Sequence, residues 1–174
     1  MIVLEPKNLT WITERKDDSE DLCAHGKVRF EIDGVKIVSV DDGEWTVSAA
    51  ALYLLRTLDS EYAKKTPSFE QIFPCCGFSM YDTEDKDVVI IGCPSGIDLQ
   101  IMRHGNNVEI QAKGKNAITV SYSAWRDAVV SFSKTVRAFY ASSSPKKPFD
   151  VEAQKGFNKF VAEWERRHLS AAHA

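Results

Sequence analysis

The residues of this chain equipped for chemistry are four cysteines, Cys23, Cys75, Cys76 and Cys93, and the histidines, of which His25 and His104 each sit beside a glycine. Zinc is the first chemistry they suggest, drawn from Cys23 and His25, the Cys75-Cys76 pair and Cys93. The spacing argues against it. No C-x₂-C or H-x₃-H pair occurs, and adjacent cysteines are poor partners in a tetrahedron. Reduced thiols packed as small apolar side chains fit the pattern better. Nucleophilic catalysis is the second chemistry. A small hydrolase would take its nucleophile from Cys75 or Cys93 and its base from His25 or His104. Gly92-Cys-Pro-Ser-Gly96 has the look of a nucleophile turn, yet it is not G-x-S-x-G and precedes a strand where that elbow requires a helix. A plain turn is the simpler reading of it.

Phosphate chemistry has no support, because Gly114-Lys115-Asn116 lacks the glycine spacing and the Ser or Thr of a P-loop, and no G-x-G-x-x-G occurs. Paired carboxylates such as Asp41 with Asp42 and Asp85 with Asp87 are common in hydrophilic turns and imply no acid–base site without a cleft. These observations favour a chain with no catalytic site, no metal and no cofactor. Four aromatic residues bear on binding instead. Trp125 and Trp164 sit on apolar helix faces and read as core. Trp45, beside an acidic turn, and Tyr81, opening an acidic loop, are either exposed anchors of a protein contact or further core residues.

The elements that must position these residues follow from the hydrophobic period. The N-terminal region through Asp21 is polar, and Lys16–Asp21 reads as an exposed loop. Lys27–Ile32 and Val35–Val40 alternate around Asp33-Gly34, the signature of a hairpin with a type I′ turn. From Thr46 to Tyr62 the period lengthens: Val47, Ala50, Ala51, Leu54, Leu55, Leu58 and Tyr62 share one helical face, with Thr46 or Ser48 as cap. Residues 63–87 contain Pro67, Pro74, Gly77 and the run Asp82–Asp87, and read mostly as loop with a short strand near Phe78–Tyr81.

Val88–Ile91, Ile97–Arg103, Val108–Lys113 and Ala117–Tyr122 read as strands joined by turns too short for crossovers, hence antiparallel. A helix opens at Ser123 with Trp125, Ala128, Val129, Phe132, Val136, Phe139 and Tyr140 on its apolar stripe. A linker around residues 145–149 leads to a last helix, capped by Asp150, with Phe157, Phe160, Val161 and Trp164 inward and a frayed tail after Arg167. The expected fold is α+β over one domain, 1–174: an antiparallel sheet of about five or six strands packed by three helices at 46–62, 123–143 and 150–168.

The totals agree with that size: 174 residues, 44% apolar and 27% charged, suit one soluble domain. No run of apolar residues is long enough for a membrane span, and no signal-peptide pattern opens the chain, so a cytoplasmic location is expected. Residues 1–100 carry 19 acidic and 10 basic side chains, a balance of −9, whereas residues 101–174 carry 6 and 12, a balance of +6. The acidic part argues against nucleic acid as partner and suits docking to a basic protein.

The stretch ITVSYSAWRDAVVSFSKTVRAFYASSSPKKPFDVEAQKGFNKFVAEWERR, from Ile118 to Arg167, carries a resemblance. A strand leads into a Trp-containing helix ending Phe-Tyr, then a Pro-containing linker, then a helix ending Glu-Trp with arginines. With Gly96-Ile-Asp-Leu before it, this C-terminal region resembles bacterial immunity proteins of polymorphic-toxin and contact-dependent growth inhibition systems. The resemblance implies a non-catalytic cytoplasmic protein that neutralises a cognate toxin domain by tight binding, basic nucleases being among such toxins. It carries over no site residues. The expected contacts come from charge and exposure instead: Trp45, Tyr81, Asp82, Glu84 and Asp85, with Asp41 and Asp42.

Overall fold

Alternation and turn chemistry produce the first sheet. In a computed structural model that describes residues 1–12, 16–59, 68–76 and 79–173, β2 (His25–Ile32) and β3 (Val35–Val38) form the expected hairpin. Asp33 and Gly34 both adopt positive φ in its turn, as a type I′ turn requires. The sequence reading missed the partner on the other edge, β1 (Ile2–Thr10), which runs antiparallel to β2 from Ile2↔Ile32 to Thr10↔His25. Its glutamate, lysine and asparagine obscure the alternation, but Leu4 is buried and Trp11, just beyond, is core.

A second antiparallel sheet has the order β4-β7-β8-β9, from β4 (Glu70–Pro74), β7 (Gly96–His104), β8 (Asn107–Ala112) and β9 (Ile118–Ser121). β4 lies where a loop was expected; Ile72 and Phe73 hold it in the core. A separate two-stranded ribbon pairs β5 (Ser79–Tyr81) with β6 (Val89–Ile91). The fold class is thus α+β as read, but the described residues form nine strands in three sheets rather than one sheet of about five or six.

Three helices pack on these sheets: α1 (Val47–Arg56), α2 (Tyr122–Ala141) and α3 (Val151–His173). α1 is central. It packs against β2, β4, α2 and α3, and its residues Val47–Leu52, Leu54 and Leu55 are all buried, not one stripe alone. Thr46 does not cap it; the Thr46 hydroxyl donates to the Cys75 carbonyl at 3.4 Å. The helix was expected to reach Tyr62, but it ends at Arg56, and Thr57, Leu58 and Asp59 form a turn; residues 60–62 lie outside the described residues, as do Pro67, Gly77 and Phe78. α2 is capped by Ser121, whose hydroxyl accepts the Ala124 N–H at 3.3 Å, and α3 by Asp150, which accepts Ala153 N–H at 2.7 Å.

Where the layers meet, Phe30, Phe73, Phe132 and Trp125 form a chain of ring contacts with centroids 5.9–6.5 Å apart. The Trp125 indole donates to Thr57 Oγ1 at 3.0 Å, and Thr57 in turn donates to the Leu54 carbonyl, so a buried donor is satisfied through a helix end. Three expectations for α3 need correction. Val161 is exposed rather than inward, the helix continues past Arg167, and Arg167, His168 and Ala171 are buried. The linker is also moored. Lys147 N–H donates to Ser19 O and Lys146 Nζ to Asp18 O, both at 2.7 Å, clipping it to the 16–21 run.

Candidate functional site

Strand alternation decides what the ribbon displays. Met80 and Ile90 are paired on one face, and Met80 is buried against α3, where Gly156 allows the Met80 backbone to approach. The opposite face therefore carries Tyr81 directly across from Val89 and Ser79 across from Ile91. These side chains are exposed: Tyr81 by 51%, Val89 by 40% and Ile91 by 55%, against 6% for Met80. Three large apolar residues on a two-stranded ribbon form a contiguous exposed patch.

The connection between the strands is the acidic loop Asp82–Val88. α3 holds it with a row of cations at helical spacing. Lys159 Nζ pairs with Asp82 at 2.7 Å and also donates to the Thr83 carbonyl. Arg166 and Arg167 both reach Asp87, the latter at 2.8 Å. Beneath them Glu163 is fully buried, bidentate with Arg56 at 2.8 Å for each bond, bonded to Arg167 Nε at 2.7 Å and accepting Val88 N–H at 2.8 Å. Arg56 returns a bond to the Val88 carbonyl at 2.7 Å. Burial alone would raise the Glu163 pKa, but hydrogen bonds and attraction from Arg56, then Arg167 and the Val88 N–H, bring it below the ordinary carboxylate value. The loop is fixed at Asp82 and Asp87, while Glu84 and Asp85 between them point into solvent and make no ion pair among the described residues.

The expected contact residues separate into three groups. Tyr81, Asp82, Glu84 and Asp85 occupy one end of the ribbon, and Asp82 is committed to Lys159. Asp41 and Asp42 belong to the turn after β3, where Asp42 accepts Ser39 N–H at 2.8 Å and Asp41 N–H donates to Ser39 Oγ at 3.3 Å. Trp45 is core, not an anchor: its backbone is bridged both ways to Gly26, at 2.8 and 3.0 Å, and its ring is 9% exposed. Its indole N–H is buried without an acceptor. Comparison with known proteins yields no matching family model, curated protein or solved structure.

The hydrolytic set does not assemble. His104 ends β7, and Cys93 precedes the start of that strand, so roughly 25 Å of extended chain separates them. His25 is buried at the start of β2, in a different sheet from β4 and β7, whose ends Cys75, Cys76 and Cys93 flank. Two clefts of about 270 and 280 Å³, one between α2 and α3 and one around Arg103 and Tyr122, are lined by neither histidine nor cysteine. Among the described residues no group of three His, Cys, Asp or Glu is arranged to hold a metal ion.

Val89 and Ile91 were missed because Val88–Ile91 is apolar throughout, and such a run conceals which side faces outward. The stripe Lys159, Glu163, Arg166, Arg167, at i, i+4, i+7 and i+8, was the available signal. A charged row on one helix face opposite an acidic loop marks a docked element.

Proposed function

We propose that this chain is a non-catalytic cytoplasmic binding protein that docks a basic partner protein on the outer face of the β5–β6 ribbon. The supporting observation is the exposed Tyr81–Val89–Ile91 face bordered by Glu84 and Asp85 on a loop that α3 holds in place. An apolar centre with a charged border is the anatomy of a protein contact, and a preorganised loop loses little entropy when it binds. The partner matched by this chemistry presents an apolar pocket within a lysine- and arginine-rich surface. The C-terminal resemblance to immunity proteins makes a toxin domain, a basic nuclease for example, our reading of that partner. Glu84 and Asp85 would stand where substrate phosphates bind.

The test uses the full chain. Co-expression with the toxin domain encoded beside its gene should protect cells, and the purified pair should form a stoichiometric complex. Tyr81→Ala should weaken that complex about 30-fold, the scale of a hot-spot residue. The double variant Glu84→Lys, Asp85→Lys should slow association and reduce its salt dependence. Full protection and unchanged affinity in both variants would remove the ribbon from the proposal. No protection by the native chain would remove the immunity reading.

A further inference from the structure

The base of the same ribbon holds three of the four cysteines. β4 ends at Pro74 opposite Gly96, where β7 begins, and the pairing extends one step further as Cys75 N–H donates to Ser95 O at 3.0 Å. The segments 75–76 and 93–95 therefore run side by side. Cys93 N–H donates to Cys76 Sγ at 3.1 Å, and the Cys93 thiol reaches Ser95 O at 3.7 Å. Cys75 is exposed, and Cys76 and Cys93 are half-buried.

We propose that Cys93 and Cys76 are a dithiol–disulfide couple that closes the base of the β5–β6 ribbon. The site depends on thiol placement alone and holds whatever the ribbon binds. Cys93 is the attacking thiol. A hydrogen bond from the Cys76 thiol is the main cause that lowers its pKa to about 7, whereas burial raises that of Cys23 to about 12. An attacking thiol is most effective when its pKa is near ambient pH.

The oxidant class is a small-molecule disulfide such as oxidised glutathione. Cys93 thiolate attacks one of its sulfurs, the S–S bond breaks, and one glutathione thiolate leaves. Cys76, its proton lost to solvent, attacks the Cys93 sulfur of the mixed disulfide and releases the second glutathione. The protein gives up two protons and two electrons, and the small disulfide is reduced to two thiols. Cys75 is adjacent to Cys76 in the chain, a poor geometry for a bridge between those two.

The full chain should be incubated with oxidised and reduced glutathione at several ratios, quenched with acid, alkylated and mapped by peptide mass. The expected product is a Cys76–Cys93 linkage with Cys23 and Cys75 still alkylatable. In Cys76→Ser the reaction should stop at a glutathione adduct on Cys93. In Cys93→Ser both adduct and linkage should vanish, and in Cys75→Ser the linkage should persist. Native iodoacetamide labelling of Cys93 should reach half its maximal rate near pH 7 and exceed that of Cys75 about 10-fold at that pH. A linkage through Cys75, intermolecular dimers as the main product, or equal labelling of Cys93 and Cys75 would each overturn the assignment.

Discussion

A carboxylate with no solvent contact persists at Glu163 because every lone-pair direction is answered, by Arg56, Arg167 and the Val88 N–H. Such a group contributes little net stability against an apolar replacement of the whole cluster, yet its removal leaves the half-buried Arg56 guanidinium without its carboxylate, while Arg167 keeps Asp59 and Asp87. Glu163→Ala is therefore expected to cost about 3–5 kcal/mol in urea unfolding. Asp85→Asn, on the solvent side of the same loop, should change stability by less than about 0.5 kcal/mol. Equal effects in the two variants would contradict the buried network. Trp45 presents the opposite case, a buried indole N–H with no acceptor. Trp45→Phe removes that unmet donor while keeping most of the apolar surface, so it should cost much less than Trp45→Ala, for which about 3–5 kcal/mol is expected. Similar losses in both would mean that the indole N–H has an acceptor in solution.

The contact between α3 and β5 rests on one missing side chain. A Cβ on Gly156 would lie 1.9 Å from the Met80 carbonyl oxygen and 2.5 Å from its carbon, both backbone atoms that no rotamer change can move. In an unobstructed helix interior, Gly→Ala stabilises by about 1 kcal/mol. Here the overlap must separate helix from ribbon, and overpacking of this kind typically costs about 1–3 kcal/mol. Gly156→Ala is expected to be net destabilising and to accelerate amide exchange at residues 79–81 and 89–91. A more stable variant with unchanged exchange would place the ribbon elsewhere. The sequence could not disclose this glycine, since its role is set by a strand some 75 residues away. The same limit explains what else was hidden. The β2–β3 hairpin, α2 and the start of α3 were legible because period, turn and cap agree locally. β1 and β4 were not, because they are held by partners distant in sequence. Of the ribbon, Tyr81 and the acidic loop were legible from type and charge, whereas the outward aim of Val89 and Ile91 appears only once Met80 and Ile90 are committed to the other face.

Across the whole molecule, part of the excess acid in the first hundred residues meets base from the remainder. Asp17 meets Lys146, Asp82 meets Lys159, and Asp59 and Asp87 meet Arg167. The C-terminal region is thus drawn onto the N-terminal one, and Glu84, Asp85 and the turn at Asp41 are among the acidic groups left exposed. This arrangement gives the molecule a directional response to pH. His25 is held below its ordinary pKa by burial, and so is His168, with Arg137 and Lys134 adding repulsion. Ser133 Oγ accepts the Trp164 indole N–H at 2.7 Å and lies 3.3 Å from His168 Nδ1, which in a neutral ring with its proton on Nε2 can accept the hydroxyl proton. A histidine whose folded pKa is lowered contributes its stability above its unfolded pKa of about 6.5, and that contribution is lost as pH falls below it, because the unfolded chain binds the proton first. The loss is at most about 1.4 kcal/mol per pH unit for each histidine. Glu163, also lowered, adds a second decline below roughly pH 4.3, where the unfolded carboxyl protonates. Urea midpoints should therefore fall between pH 6.5 and 5, and fall again below about 4.3. His168→Asn, whose side chain can still accept from Ser133, should reduce the first decline to the share of His25 and leave the second unchanged. A level profile through pH 5 in the native chain would show that neither histidine is buried in its neutral form.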